Sequence, residues 1–113
     1  MRELEKILKA LADNKRLRIL KMLEHRKMCV CELAFVLGIT QPSVSRHLKR
    51  LKAAGLIEAS QDSFWTNYFL APGNKYARAI LPSIKKWLNN GSIIKQDILK
   101  LKKAKREKLC CTK

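Results

Sequence analysis

Residues 37–57 read LGITQPSVSRHLKRLKAAGLI, and this stretch decides the fold. Gly38 predicts a turn, because glycine adopts left-handed backbone conformations at little cost. Thr40 is a favoured N-cap and Pro42 is tolerated in a first helical turn, so we expect a helix that begins here and ends at Gly55. The stretch therefore predicts a turn followed by a helix of about 14 residues.

Apolar residues at helical spacing precede this stretch, and an alternating pattern follows it. The helical stripes are Leu4, Ile7, Leu8 and Leu11; Leu17, Ile19, Leu20 and Leu23; and Leu33, Val36 and Leu37. Asp13 is a candidate cap for the second helix. Leu56–Ser60 and Phe64–Leu70 predict a hairpin around the turn Gln61-Asp62-Ser63. The class is mainly α (α+β), a winged helix-turn-helix with a two-stranded β-hairpin wing.

The C-terminal third predicts two more helices. Tyr76, Ile80, Ile84, Trp87 and Leu88 share one helical spacing, and Pro82 either kinks this helix or marks its start. Asn89-Asn90-Gly91 predicts a break and Ser92 a cap, after which Ile94, Ile98 and Leu101 indicate a basic helix. We expect a DNA-binding and dimerisation domain over residues 1–91, and a basic helix and tail over 92–113 that ends in Cys110-Cys111.

The composition favours an anionic partner in the cytosol. The 113 residues hold 25 Lys and Arg against 9 Asp and Glu, a net charge of +16 that nucleic acid would offset. No apolar run approaches the roughly 18 residues that span a bilayer, and the N-terminus lacks the order of a signal peptide, so we expect no membrane association. Because cytosolic thiols stay reduced, Cys29, Cys31, Cys110 and Cys111 indicate metal or redox chemistry.

A short helix, a glycine turn and a second helix that is polar and then basic are the parts of a helix-turn-helix, whose second helix enters the major groove of double-stranded DNA. The predicted DNA contacts are Gln41, Ser43, Ser45 and Arg46, with His47, Lys49 and Arg50 placed for phosphates or flanking contacts. Enzyme signatures such as a phosphate loop, a zinc-protease His pair or a Gly-x-Ser-x-Gly elbow are absent from the sequence, so we expect no enzyme and no small-molecule substrate.

These residues resemble a known family. Residues 10–20 and 29–57 resemble the ArsR/SmtB family of winged-helix, metal-responsive bacterial and archaeal repressors. The resemblance implies a homodimer built from the first helix and the helix after the wing, and an operator read by Gln41, Ser43, Ser45, Arg46 and His47 without a cofactor. The wing turn lacks the glycine and the tip arginine often seen there, so the resemblance does not carry minor-groove contact over to it.

The resemblance also implies a sensing site. Cys29-Val-Cys31 falls where arsenic, cadmium and lead sensors of this family carry two thiolate ligands. Residues i and i+2 of a regular helix point about 200° apart, so joint chelation requires a distorted helix start, which would move the DNA-reading helix. We expect the metal-bound repressor to leave its operator.

The ion and the third sulfur follow from soft-ligand chemistry and from the same resemblance. As(III) and Sb(III) are favoured over Cd(II) and Pb(II), with the metal(loid) acting as inducer, because thiolates select thiophilic ions. Ala34 stands where some arsenic sensors carry a third cysteine, so Cys110 and Cys111 are the candidate additional ligands. Two alternatives stay open: a repressor of the same fold that responds to thiol oxidation or persulfidation, and an architectural DNA-binding protein without a ligand.

Overall fold

The computed structural model describes residues 1–89 and 91–104. Their elements, in chain order, are α1 (Arg2–Leu11), α2 (Asn14–Leu23), α3 (Val30–Leu37), α4 (Gln41–Ala53), β1 (Ile57–Asp62), β2 (Trp65–Leu70), α5 (Lys75–Lys86) and α6 (Ser92–Lys103). The strands form one two-stranded antiparallel sheet. The predicted winged helix-turn-helix fold is confirmed. No helix in these described ranges is long and apolar enough to cross a membrane.

The turn between α3 and α4 forms where the sequence predicts it. Gly38 ends α3 in the left-handed region, with φ 70° and ψ 32°. Thr40 caps α4, and its side-chain oxygen accepts a hydrogen bond of 3.3 Å from the backbone N–H of Ser43. The buried residues of α4 are Val44, Leu48 and Leu51. Local caps and one apolar stripe thus fix how α4 lies against α3.

The hairpin turn lies later in the chain than its sequence predicts. The strands pair from Ile57–Leu70 to Asp62–Trp65, which leaves Ser63 and Phe64 as the turn, with Ser63 at φ 59°. The prediction of a turn at Gln61-Asp62-Ser63 is therefore wrong for the first two residues. The physical reason is that polar side chains on an exposed hairpin pair without breaking the ladder, so polarity alone does not mark the turn.

Helices α5 and α6 also correct the prediction. Pro82 lies inside α5, which begins after the N-cap Asn74, so Pro82 does not mark the start. Trp87 and Leu88 lie beyond the end of α5 and are 55% and 46% exposed. The N-cap of α6 is Gly91, and Ser92 is its first residue. In each case the predicted spacing or cap chemistry is present, but the chain turns one to two residues away from it.

Three basic side chains from α2 and the loop after it hold the C-terminal ends of other helices. Arg16, Lys21 and Arg26 donate to main-chain carbonyls of α1, α5 and the end of α6, respectively. The acceptors are Lys9 and Ala10, Ile84 and Lys85, and Leu101 and Ala104, at 2.7 to 3.4 Å. Cations at these positions satisfy carbonyls that lack intrahelical partners and oppose the negative end of the helix dipole.

Helix α6 packs against α2 and α3. Arg18 of α2 donates two hydrogen bonds of 2.8 Å to the carboxylate of Asp97 on α6, and both residues are buried. Leu101 and Ala104 join the main apolar core. The structure thus docks α6 onto the helix-turn-helix, and the division of the chain at residue 91 stays a prediction.

Candidate nucleic-acid interface and thiol site

The outer face of α4 presents most of the predicted DNA contacts. Five of the seven predicted residues are exposed, namely Gln41, Ser45, Arg46, Lys49 and Arg50. No acidic residue occurs on α4, so its exposed face is uniformly polar or positive. The N-terminal end of such a helix also attracts phosphate oxygens through its unpaired N–H groups. This face has the shape and charge that a major-groove element requires.

Ser43 connects the cap of α4 to an arginine on its outer face. Its hydroxyl oxygen accepts hydrogen bonds from Thr40 Oγ1, at 2.9 Å, and from Arg46 Nη2, at 3.0 Å. This arrangement restrains the Arg46 guanidinium before any partner arrives, which lowers the entropy cost of a contact. The sequence identifies Thr40 only as a cap, and its second bond to Ser43 depends on side-chain conformations that no pattern reveals.

His47 lies half-buried on α4 and contacts α2. Arg16 Nη1 lies 3.2 Å from His47 Nδ1, and because arginine has no acceptor, this nitrogen of His47 is the acceptor and is unprotonated. The same guanidinium holds the end of α1. Of the predicted DNA contacts, His47 is thus the one that the structure joins to another helix.

The charges around His47 set its protonation. Burial lowers the pKa of His47, as do the positive charges of Arg16, Lys15 and Arg46, while Asp13 opposes them. Burial raises the pKa of Asp13, but backbone hydrogen bonds from Arg16 and Lys15 and the nearby positive charges outweigh it, so the net pKa lies below its usual value. Neutral His47 beside ionised Asp13 is therefore the favoured state of the folded chain.

Acidification through the ordinary pKa of His47 is expected to destabilise the fold. A lowered pKa means that His47 stabilises the folded chain fully above pH 6.5, and that this contribution is lost as the pH falls through 6.5 toward the lowered value. The check is urea unfolding between about pH 8 and about pH 5. The chain should lose more unfolding free energy than the variant His47→Asn, which keeps an acceptor for Arg16. Parallel curves for the two proteins would contradict this role of His47.

Cys29 and Cys31 lie at the start of α3. Cys29 is the N-cap, with extended backbone at φ −94° and ψ 170°, and its residue is 3% exposed. The helix begins at Val30, so Cys29 stands outside the regular helical geometry in which two residues at this spacing point apart. The distortion that chelation was expected to require is thus smaller than a fully helical start would demand.

The second thiol position has a different state and setting. Cys31 is half-buried in α3 and is disulfide-bonded. Cys110 and Cys111, the other predicted ligands, lie outside the described residues. Within residues 1–89 and 91–104, no group of three His, Cys, Asp or Glu side chains is placed to hold a metal ion. A three-sulfur site built on Cys29 and Cys31 therefore requires a donor from elsewhere, and a reduced Cys31.

Glu32 and Arg26 complete the thiol site, and neither is among the residues predicted for it. Glu32 is 2% exposed; its Oε1 accepts a hydrogen bond of 3.0 Å from the backbone N–H of Cys29, and its Oε2 lies 2.7 Å from Arg26 Nη1. Cys29 and Glu32 form a capping box. The three-residue spacing between an N-cap and a glutamate is the signal that the sequence offers, although cysteine is not one of the favoured N-cap residues.

Comparison with known proteins gives one consistent family. Residues 13–59 match the model described as "Bacterial regulatory protein, arsR family". An HTH-type transcriptional regulator of Methanocaldococcus jannaschii is 43% identical over 65 residues, which are 57% of this chain and 73% of that protein. The arsenical resistance operon repressor of Bacillus subtilis is 41% identical over 71 residues, or 62% of this chain and 68% of the relative. A cadmium resistance regulator of Listeria innocua is 33% identical over 63 residues, 55% of this chain and 53% of that protein.

Solved structures agree with this similarity. Reduced HlyU from Vibrio cholerae has a TM-score of 0.66 at 27% identity, covering 78% of this chain and 90% of its own. A homodimeric winged helix-turn-helix DNA-binding domain from Mycobacterium bovis has a TM-score of 0.64 at 25% identity, covering 74% and 76%. These relatives and structural neighbours are regulators or DNA-binding domains rather than enzymes.

Proposed function

Because this chain belongs to the arsR family of bacterial regulatory proteins, whose members are DNA-binding transcriptional regulators, we propose that it is a cytoplasmic repressor that leaves its operator when Cys29 and Cys31 capture a thiophilic metal or metalloid. The observation that carries this proposal is the position of Cys29. It is the N-cap of α3, and α3 packs directly against α4. As(III) or Sb(III) are the first-choice inducers, ahead of Cd(II) and Pb(II), since thiolates are soft ligands and the Bacillus relative is an arsenical repressor.

The DNA side of the proposal rests on α4. Gln41, Ser43, Ser45 and Arg46 are proposed to contact base edges of double-stranded operator DNA, and Lys49, Arg50 and His47 to contact phosphates or flanking positions. Neutral His47 does so while it accepts the bond from Arg16. No cofactor is needed for this step.

A homodimer is proposed to present two copies of α4. Leu4 and Leu8 on α1 are 36% and 57% exposed in the single chain, although they belong to the apolar stripe of that helix. Covering them with a second copy would remove apolar surface from water. The similar domain from Mycobacterium bovis is homodimeric, and operators with two half-sites suit a two-fold dimer.

Release follows from two states of the α3 start. In the described state Glu32 holds the backbone N–H of Cys29. Bringing the sulfurs of Cys29 and Cys31 onto one ion changes the torsions of residues 29–31, and α3 carries that change to α4. Ligand and operator then favour different states, and a coupling of about 1–3 kcal/mol weakens operator affinity about 5- to 150-fold.

Cys110 and Cys111 are proposed to supply the additional sulfur. The position of the end of α6 supports this assignment, because Arg26 contacts both the carbonyl of Ala104 and the carboxylate of Glu32, which in turn holds Cys29. Six residues separate Ala104 from Cys110, and six extended residues span up to about 20 Å. A sulfur from this segment is therefore within reach of the start of α3.

The test is operator binding by the reduced protein at a stated salt concentration, titrated in turn with As(III), Cd(II), Zn(II) and an oxidant. Loss of binding at near-stoichiometric As(III) or Cd(II) is the expected result and ranks the ions. Random DNA is the control, since a specific repressor binds its operator far more tightly. If neither ion nor oxidant alters binding, and random DNA binds equally well, the protein is an architectural DNA-binding protein and the proposal fails.

A thiol redox switch is the second candidate, and the disulfide at Cys31 favours it. Two thiols that form a disulfide give up two electrons and two protons to an oxidant, and the same start of α3 is displaced. Release by the oxidant that a thiol reductant reverses, with no response to As(III) or Cd(II), would assign this function in place of metal sensing.

Arg46→Ala is expected to weaken operator binding by roughly 10- to 100-fold, because one arginine contact to a base contributes about 1–3 kcal/mol of discrimination. The measurement is operator affinity at fixed salt. Arg78→Ala is the matched control, since it removes an equally exposed arginine from α5. Equal losses in the two variants would mean that only net charge matters, which contradicts the assignment of α4 as the reading helix.

A further inference from the structure

The end of α6 is attached to the thiol site through one side chain. Arg26 Nη2 donates to the carbonyl of Leu101 at 3.3 Å and to that of Ala104 at 3.4 Å, while Arg26 Nη1 lies 2.7 Å from Glu32 Oε2. The guanidinium therefore spans the space between the last turn of α6 and the first turn of α3. A lysine has no such fork and offers a single nitrogen.

The Glu32 side of this bridge is buried and costly to disturb. Glu32 is 2% exposed, and its two carboxylate oxygens are divided between Arg26 and the backbone N–H of Cys29. Leaving a buried carboxylate without its cation is strongly destabilising. Glu32 therefore holds Arg26 in place, and Arg26 holds the end of α6 beside Cys29.

The rest of α6 is anchored independently of Arg26. Arg18 and Asp97 form the buried two-bond ion pair in the middle of the helix, and Ile94 and Leu101 are buried. Removal of Arg26 should thus loosen the last turn of α6 without detaching the helix. The chain continues from Ala104 toward Cys110 and Cys111, so the direction of this last turn decides how often those cysteines approach α3.

We propose that Arg26 is a positioning residue that raises the effective concentration of the C-terminal cysteines at Cys29 and Cys31 by fixing the end of α6. The inference rests on the proposed function, in which Cys110 or Cys111 completes the thiol site. Linking a ligand to its site through a well-directed segment can strengthen binding by orders of magnitude without any new contact. Arg26 itself is not a ligand in this arrangement.

The experiment is a double-mutant cycle on the full, reduced chain with Cd(II) as the probe. Thiolate-to-Cd(II) absorbance gives the dissociation constant of each protein. Arg26→Met is expected to weaken Cd(II) binding about 10-fold or more, the loss expected when effective concentration falls. Lys102→Met is the matched control, because it removes an exposed charge from α6 and leaves both bonds of Glu32 in place. It should change the dissociation constant less than about 2-fold.

The second background separates positioning from a structural role. In a chain that carries Cys110→Ser and Cys111→Ser, Arg26→Met should have no further effect on Cd(II) binding, because there are no C-terminal sulfurs left to position. Arg26→Lys, which keeps a cation beside Glu32, should fall between the two proteins. It also serves if Arg26→Met does not fold, as judged by a melting curve.

The outcomes that would overturn the inference are distinct from those against the proposed function. An equal loss in both backgrounds would show that Arg26 acts through the Cys29 cap, and no loss in either would show that it does not act. Both results overturn the positioning role while leaving a thiolate site intact. Absence of the thiolate-to-Cd(II) band in the unmodified chain would overturn the proposed metal site itself.

Discussion

Asp97→Asn is expected to lower the free energy of unfolding by about 3–5 kcal/mol, the cost of breaking a buried ion pair by removing one partner. Asp97 is 1% exposed and accepts both bonds of Arg18, which is 9% exposed. The bond to Asp97 raises the pKa of Arg18 above its usual value, so the arginine stays charged after its partner is lost. The measurement is urea unfolding followed by circular dichroism.

A second variant separates the lost attraction from the stranded charge. Arg18→Met with Asp97→Leu removes both charges and keeps apolar volume, and such replacements are often neutral or stabilising. We expect it to recover most of the loss. A change below about 1 kcal/mol in Asp97→Asn would contradict this picture, because it would place the pair in the range of solvent-exposed ion pairs.

The parts of the fold that the sequence predicts well are those with local causes. Gly38, Thr40 and the apolar face of α4 each act over a few residues, and each forms as expected. Asp13 likewise caps α2 through bonds to the backbone N–H groups of Lys15 and Arg16. Caps and periodicity therefore sufficed for the helix-turn-helix, and five of its predicted contact residues are exposed as a DNA-reading face requires.

The parts that the sequence does not predict have distant partners. Asp97 is one acid in a basic segment and resembles a solvent-exposed charge, yet its partner Arg18 is 79 residues away in the chain. Arg26 and Lys21 also resemble surface cations, although both bond carbonyls of helices more than 60 residues later. No local pattern encodes such contacts, because the acceptors are main-chain carbonyls that every residue has.

These distant contacts give α2 and its following loop a common role. Through Arg16, Lys21 and Arg26, one short segment holds the ends of the helix expected at the dimer interface, the helix after the wing and the helix that leads to the last cysteines. Arg16 also reaches His47 on α4. The reading helix, the thiol site and the dimerisation helices are therefore all connected to the same rigid element.

Cys29→Ser and Cys31→Ser are each expected to leave operator affinity unchanged and to abolish release by As(III) and Cd(II). At saturating ion, the unmodified protein should lose about 5- to 150-fold in affinity, and the variants should lose none. Serine at position 29 suits the fold, since Cys29 is an N-cap and serine is among the best N-cap residues. A loss of response in Cys29→Ser therefore reports the missing sulfur, and a melting curve at or above that of the unmodified protein confirms it.

The decisive comparison is the variant that carries both changes. With neither sulfur at the start of α3, an ion has no means to alter the torsions of residues 29–31, and α4 stays in its DNA-binding position. A double variant that still leaves the operator on addition of As(III) and Cd(II) would show that the sensing thiols lie elsewhere in the chain. A double variant that responds to neither ion but to the oxidant would leave a redox site without Cys29 and Cys31, and would remove α3 from the mechanism.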